Sequence, residues 1–190
     1  TEWLPPGELL VSVAAGLGVW ERVLESLYGM NVYCSDAGLG KYHNADSTGS
    51  TLKGAYTTVY VELGIETIRK IANPEKGALF LCWLPYQNTW DVEMLNLYHQ
   101  RGGKRIILIG ESEGGCTASE GFWVRLIELY SEVDYCFHPN LQGVHSYGSL
   151  WELRTDDSDD DDDSYNVDSD VEDVEDVEDD DATNTPTSTM

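Results

Sequence analysis

The sequence is poor in basic residues, with 11 Lys and Arg against 35 Asp and Glu among 190 residues and a formal net charge of −24. Residues 156–181 hold 17 of the acidic side chains and no Lys or Arg, so the other 18 acids face all 11 bases and give the upstream part a net charge of −7. A surface that follows a phosphate backbone needs clustered Lys and Arg. The composition therefore argues against nucleic acid as a partner.

Long apolar runs are also missing. No run reaches the roughly 18–20 residues that a bilayer-spanning helix needs. The sequence also does not open with a basic, apolar and small-residue leader. We therefore expect no membrane association and a cytoplasmic location, with the nucleus as the alternative.

Paired cysteines are missing as well. Cys34, Cys82, Cys116 and Cys136 lie far apart, without a C-x-x-C pair, and the four histidines form no paired ligand motif. A structural zinc site needs ligands about two to four residues apart. The spacing predicts a reducing compartment, with neither a disulfide framework nor a metal site.

Short apolar runs alternate with helix-length segments along the chain. The runs that predict strands are Leu9–Ala14, Asn31–Ser35, Thr57–Val61, Ala78–Trp83, Arg105–Ile109, Val133–Phe137 and Ser149–Leu153. The predicted helices are Trp20–Tyr28, with Trp20, Val23, Leu24 and Leu27 on one face, then Ile65–Ala72, Thr89–Gln100 and Gly121–Tyr130. A capping box at Thr117–Glu120 is expected to open the last helix, and the Gly, Ser and Thr-rich stretch Ala37–Gly54 is expected to be a loop.

The order of these elements predicts the fold class. Strands that are buried on both faces read as continuous apolar runs, and strands that alternate with helices form a mostly parallel sheet. We therefore expect an α/β fold with a doubly wound, Rossmann-like sheet and an antiparallel strand pair at its C-terminal edge. The domain should cover residues 1–154, because the Asp-rich residues 155–190 cannot bury enough apolar surface to offset their ordering entropy and should form a disordered acidic tail.

The turn after the first predicted strand is the first candidate site. Ala14-Ala-Gly-Leu-Gly18 leads directly into a helix, and its small residues let the backbone approach a ligand. The second predicted strand ends at Asp36, 18 residues after Gly18, where a carboxylate can accept two hydrogen bonds from the hydroxyls of a ribose. Because ligands of open parallel sheets bind beyond the carboxyl ends of the strands, this pairing predicts a nucleoside site. The alternative role for Asp36 is that of a turn residue that caps nearby amides.

The residue three positions after Gly18 distinguishes classes of nucleotide cofactor. A dinucleotide enzyme has a third glycine or alanine there, whereas Gly16-Leu-Gly18-Val-Trp-Glu21 places a carboxylate where the pyrophosphate would rest. A phosphate-binding Walker loop is excluded because Gly40-Lys41 is followed by Tyr42. S-adenosylmethionine carries no phosphate, so it is the predicted cofactor.

Several longer runs resemble successive motifs of an uncharacterised methyltransferase-like Rossmann family. The resemblance covers roughly residues 3–154, and its W-x-P-Y and G-E-x-x-G-G-C-T runs are fairly specific. It implies the class I S-adenosylmethionine-dependent methyltransferase fold, with a seven-stranded sheet whose last strand is antiparallel. The runs are Leu10–Leu24, Val32–Ala37, Lys41–Asn44, Leu79–Tyr86, Ile107–Ala118 and Gly143–Arg154.

The resemblance implies a cofactor side of the site. Ala14, Gly16 and Gly18 match the glycine loop that passes beside the methionine part of the methyl donor, and Asp36 matches the acid that holds its ribose. Ser12 belongs to the same side and stands where many such enzymes have an acid.

The resemblance also implies an acceptor side. Trp83, Pro85 and Tyr86 are similar to the N-P-P-Y motif of amino-methylating enzymes, in which an aromatic ring faces the departing methyl cation. A ring face stabilises such a charge by roughly 0.5–2 kcal/mol. His145, on the loop before the last strand, is expected to line the acceptor pocket or to accept a proton. The acceptor itself is not predicted.

Departures from the family pattern leave a second hypothesis open. Ala14 replaces the first loop glycine, Cys82 stands in the place of Asn or Asp, Leu84 replaces a proline, and the loop Leu141–Ser146 lacks the Trp, Pro and Asp of its counterpart. Each loss removes a contact to cofactor or substrate. The alternative function is therefore a catalytically inactive Rossmann-like binding module whose acidic tail recruits a basic protein partner.

Other candidate residues compete with this assignment. Cys116 resembles the nucleophile of a cysteine hydrolase, with His145 as its base, although it also suits a tight turn before a helix. His43 and Glu111 are further candidates for the acceptor pocket. The tail has three candidate roles, namely solubility, a polyanion for a basic partner, and phosphorylation at Ser158 and Ser169.

Overall fold

The computed structural model describes residues 3–37, 51–138 and 143–155. The acidic tail, His43 and most of the predicted loop over residues 37–54 lie outside these residues. None of the helices in the described ranges is long and apolar enough to span a bilayer.

Within the described residues, every predicted strand and helix is found, and the bounds differ from the predicted ones by at most three residues. The strands are β1 Leu9–Val13, β2 Asn31–Asp36, β3 Val59–Val61, β4 Ala78–Cys82, β5 Arg105–Gly110, β6 Tyr130–Cys136 and β7 Tyr147–Leu153. The helices are α1 Val19–Tyr28, α2 Gly64–Lys70, α3 Asp91–Gln100 and α4 Glu120–Leu129, and a short 3-10 helix, Pro74–Lys76, precedes β4.

The strands form one seven-stranded sheet in the order β3-β2-β1-β4-β5-β7-β6. Strands β1 to β5 are parallel, while β7 runs antiparallel to both β5 and β6. The antiparallel pair therefore lies at one edge of the sheet, with β7 inserted next to β5 and β6 outermost. This arrangement confirms the predicted doubly wound, mostly parallel α/β fold.

Alternate residues of the central strands pack against the two faces of the sheet. On one face, Val11 and Val13 join side chains of α2, α3 and α4 in the larger core, which includes the buried Tyr98 and Phe122. On the other face, Leu10 and Phe80 pack with Leu24 of α1 and with the N-terminal segment. The central strands are thus covered on both faces, which explains their continuous apolar sequences.

The buried face of helix α1 differs from the face that its apolar side chains predict. Trp20 is 39% exposed and Leu27 is 73% exposed, whereas the buried residue of this helix is Glu21. The shared face predicted from the apolar side chains is therefore not the face that contacts the sheet most closely. Apolar residues often remain at a protein surface, so a buried carboxylate is the more informative observation.

The start of α4 corrects the predicted capping box. The helix begins at Glu120, and its N-cap is Ser119, whose hydroxyl accepts a hydrogen bond from the Phe122 amide. The Thr117 hydroxyl instead accepts from the amide of Glu111, 2.9 Å away. Thr117 thus ties the loop after β5 to the end of that strand rather than capping the helix.

Candidate active site

The strand order places a topological switch point, and with it the expected ligand crevice, at the carboxyl ends of β1 and β4. Strand β1 pairs with β2 on one side and with β4 on the other, and β4 continues to β5, so the connections leave β1 and β4 in opposite directions. Such a switch point leaves room between the two connecting loops, and it is where open α/β sheets bind their ligands.

The turn after β1 forms one wall of this crevice. Ala14, Gly16 and Gly18 have φ angles of 57°, 57° and 69°, so the chain passes three times through left-handed backbone geometry. A glycine is also required at position 18 because the backbone there lies close to Thr57. A Cβ on Gly18 would lie 2.8 Å from the methyl group of Thr57. No described atom lies within 4 Å of the position that a Cβ of Gly16 would occupy, so this glycine borders open space.

Asp36 lies directly beside the same turn. It is the last residue of β2, and its carboxylate accepts a hydrogen bond of 2.9 Å from the backbone amide of Gly16. The two positions whose convergence the sequence predicts are thus in contact. The carboxylate also supports the turn, as the alternative role of Asp36 requires.

Ser12 contacts Glu21, whose position beside the glycine turn follows from the sequence but whose burial does not. Ser12 is 1% exposed, and its hydroxyl donates a hydrogen bond of 2.5 Å to the carboxylate of Glu21, which is also 1% exposed. Burial raises the pKa of Glu21, and the hydrogen bond from Ser12 partly offsets this effect. The sequence signal that was available is the polar residue inside an otherwise apolar strand, which needs a buried partner.

Trp83 begins the other wall, immediately after β4. Its φ angle of 53° is unusual for a bulky residue, and its side chain is 38% exposed. The backbone is held on both sides, because the Trp83 amide donates to the carbonyl of Ile109 at 2.8 Å and the Leu84 carbonyl accepts from Ala118 at 3.0 Å. Leu84 is buried, so it anchors the loop while Trp83 faces outward.

Pro85 and Tyr86 continue this wall, and both are exposed. The Asn88 side-chain amide donates to the carbonyl of Pro85 at 2.6 Å. Tyr86 lines a cavity of about 220 Å³ together with the loop after β5 and the start of α4. The other residues around this cavity are Glu113, Gly114, Gly115, Thr117, Ala118, Glu120 and Trp123.

Glu111 and His145 meet at the carboxyl end of β5. One carboxylate oxygen of Glu111 accepts from the amide of His145 at 3.4 Å, and the other accepts from the amide of Cys116 at 2.8 Å. These hydrogen bonds lower the pKa of Glu111. The exposed Cys116 is therefore placed beside a carboxylate, which is not the cationic environment that activates a nucleophilic thiol.

Apart from Ser12, which is buried within β1, the site residues predicted from the sequence follow or precede strands at the same end of the sheet, the carboxyl ends of the parallel strands. Ala14, Gly16 and Asp36 lie together at the turn after β1, and Trp83 follows the neighbouring strand. His145 precedes β7, which is the second strand from β4 in the sheet. Within the described ranges, no group of three His, Cys, Asp or Glu side chains could hold a metal ion.

Sequence comparison finds no matching family model and no matching curated protein. Among solved structures, magnesium protoporphyrin IX methyltransferase from Synechocystis PCC 6803, determined with bound S-adenosylmethionine, is 13% identical, with a TM-score of 0.50 over 78% of this chain and 71% of that chain. The chain has the class I methyltransferase fold. An rRNA methylase from Streptococcus thermophilus is also similar, at 12% identity and a TM-score of 0.47, over 81% of this chain and 92% of that one.

Proposed function

We propose that this protein is an S-adenosylmethionine-dependent methyltransferase that binds the methyl donor at the turn after β1. The observation that carries the proposal is the hydrogen bond between the Gly16 amide and the Asp36 carboxylate, which brings the glycine turn and the strand-end acid side by side. The class I methyltransferase fold supports it, because the similar magnesium protoporphyrin IX methyltransferase binds S-adenosylmethionine.

Asp36 is proposed to hold the ribose of the donor. An ionised carboxylate has two oxygens that together offer about four acceptor positions, so a bond from Gly16 is compatible with further bonds from ribose hydroxyls. Gly16 borders open space, which allows a ligand to approach the backbone closely.

Trp83, Pro85, Tyr86 and His145 are proposed to shape the acceptor side. Trp83 holds a left-handed conformation that costs roughly 1–3 kcal/mol, and such strain persists where the surrounding structure enforces it, often at functional sites. Its exposed ring at the strand end is suited to face a cationic methyl group.

The proposed methyl transfer needs little from the protein beyond the alignment of donor and acceptor. S-adenosylmethionine supplies an activated methyl group, which an acceptor takes with its lone pair as the carbon–sulfur bond breaks and the sulfur keeps the bonding electrons. The chain's own task is to orient the acceptor in line and to exclude water, and such positioning can account for much of a rate enhancement. The exposed imidazole of His145 is the proposed proton acceptor where the acceptor group has a proton to lose.

Calorimetric titration with S-adenosylmethionine and S-adenosylhomocysteine tests the proposal. We expect both ligands to bind the full chain, and we expect Asp36→Asn to weaken binding about tenfold or more, because a neutral amide can still accept from Gly16 but bonds the ribose less strongly. The matched control is Asp134→Asn, since Asp134 lies in β6 and accepts from the Trp3 indole. Absence of heat with the wild-type chain at high micromolar ligand would reject the proposal.

One observation favours the second candidate, an inactive binding module. Cys82 occupies the place of a polar Asn or Asp, and burial raises the pKa of its thiol to about 12, so it stays neutral and is a poor hydrogen-bonding partner for an acceptor. Incubation with labelled methyl donor and fractionated cell extract separates the two functions. Donor binding without label transfer to any fraction would favour the binding module.

A further inference from the structure

Glu21 is a buried carboxylate that the proposed mechanism does not use. It lies in the first turn of α1 with 1% of its surface exposed, and the Ser12 hydroxyl donates to it at 2.5 Å. In the part of the chain that the structure describes, no Lys, Arg or His side chain forms an ion pair with it. Burial without a cationic partner disfavours the charged form of a carboxylate, so a cation that approaches Glu21 would stabilise that form.

Glu21 lies directly behind the glycine turn, because it follows Gly18 by three residues and its hydrogen-bond donor Ser12 lies in β1, two residues before Ala14. Ser12, its hydrogen-bond donor, pairs with Cys34 of β2 and with Phe80 of β4 in the sheet register. The charge of Glu21 contributes to the raised pKa values of Cys34 and Cys82, and the charge of Asp36 contributes to the raised pKa of Glu21. These effects agree with the location of Glu21 close to β1, β2 and β4, next to the turn where the methyl donor is proposed to bind.

We propose that Glu21 is a specificity-determining residue whose buried charge makes the crevice prefer a positively charged methyl donor over its neutral, demethylated product. This inference rests on the proposed function. A cation that enters the crevice supplies the compensation that the chain itself lacks, whereas the neutral thioether left after methyl transfer does not. Through this difference Glu21 favours donor binding and product release, and the same field opposes a pyrophosphate at the start of α1.

Three ligands distinguish a charge effect from a packing effect. S-adenosylmethionine carries a sulfonium, sinefungin carries an ammonium group on the carbon that replaces the sulfur, and S-adenosylhomocysteine is neutral at that place. Their dissociation constants are measured by calorimetry with the wild-type chain, Glu21→Gln and the control Glu25→Gln. Glu25 lies one turn further along α1, where its carboxylate accepts from the Thr57 hydroxyl at 2.6 Å.

We expect Glu21→Gln to reduce the preference for the two cationic ligands over S-adenosylhomocysteine by about 5- to 30-fold, which is the order of magnitude for opposite unit charges that interact without contact. Affinity for the neutral ligand should change little, and Glu25→Gln should keep most of the wild-type preference. If Glu21→Gln does not fold, Glu21→Leu replaces it, because an apolar side chain removes the cost of burying the charge.

Two results overturn the inference, and they differ from failure of the proposed function. If the variant binds all three ligands more weakly by the same factor, Glu21 has only a structural role. An unchanged preference likewise excludes the charge effect. If the wild-type chain binds none of the three ligands, the proposed function fails and this inference fails with it.

Discussion

Asp36 and Glu21 are two carboxylates beside one turn, and their surroundings give them different properties. Asp36 lies at a strand end and accepts from a backbone amide, whereas Glu21 lies buried in the first turn of α1 and accepts from the Ser12 hydroxyl. The first environment suits recognition of neutral hydroxyls, and the second disfavours the charged form of the carboxylate. The role proposed for each carboxylate follows from its burial and hydrogen bonds rather than from its residue type.

Glu21 predicts a pH dependence of stability. Because burial raises its pKa, the folded state holds the proton more tightly than the unfolded state. Its contribution to stability is therefore present at low pH and is lost as the pH rises from the ordinary glutamate value, about 4.3, through the higher value of the folded state. We expect the wild-type chain to lose stability relative to Glu21→Gln as the pH rises above about 4.3.

Urea unfolding of both chains at a series of pH values checks the prediction. The other carboxylates titrate in both proteins, so their contributions cancel in the difference between the two free energies of unfolding. A difference that does not vary with pH would show that the pKa of Glu21 is the same in the folded and unfolded states.

The sequence predicts the location of Asp36 but not the burial of Glu21. Asp36 could be placed beside the glycine turn, because a strand end and a spacing along the chain define its position. The burial of Glu21 could not be predicted, because the apolar side chains of Trp20 and Leu27 indicate a different inward face for α1. What decides between the faces is the hydroxyl of Ser12 across the interface, a contact that periodicity does not report.

At the scale of elements, the loops after β4 and β5 are tied together by one buried carboxylate. Asp91, at the start of α3, accepts from the amide and the hydroxyl of Ser119, both at 2.8 Å, and from the side chain of Asn88. Asn88 in turn bonds the carbonyl of Pro85. The starts of α3 and α4 thus hold the two loops that border the acceptor side.

Removing this link should destabilise the fold and disturb the loops. We expect Asp91→Ala to lower the free energy of unfolding by about 2–4 kcal/mol, because it leaves several buried donors without an acceptor. Glu93→Ala, at an exposed position on the same helix, should cost less than about 1 kcal/mol. Chemical denaturation measures both, and equal effects for the two variants would contradict the assigned role of Asp91.

The central elements could be predicted because parallel strands covered on both faces must be apolar throughout, as Ala78–Cys82 and Arg105–Gly110 are after the first residue. The edge was harder to define. Strand β6 begins at Tyr130, directly after α4, and its polar Ser131 and Glu132 resemble a loop. The insertion of β7 beside β5 is a long-range pairing that no local pattern specifies.

At the scale of the whole molecule, charge is the dominant property. The chain carries a net charge of −24, and residues 156–181 supply 17 of its carboxylates. Such a run favours solubility and attracts basic partners through long-range forces that salt screens. The proposed binding of a basic partner to the tail is therefore best tested with a basic probe at different salt concentrations.

We expect the full chain to bind a basic probe such as polylysine, with an affinity that falls steeply between low and physiological salt. A chain that ends at Thr155 should lose most of this binding, because it keeps a net charge of only about −7. Retention on immobilised probe at several salt concentrations provides the measurement. Equal retention of both chains would assign the binding to the body rather than to the tail.

The outermost strand has a consequence for the protein in concentrated solution. Strand β6 exposes Val133 and Tyr135, Phe137 directly after it is exposed as well, and a strand of this kind invites pairing with a strand of another molecule. The same strand carries Glu132 and Asp134 and a register irregularity between them. Like charges brought edge to edge repel, and a local bulge spoils the regular ladder that an added strand would need, so this rim is protected against uncontrolled sheet extension and fibre growth.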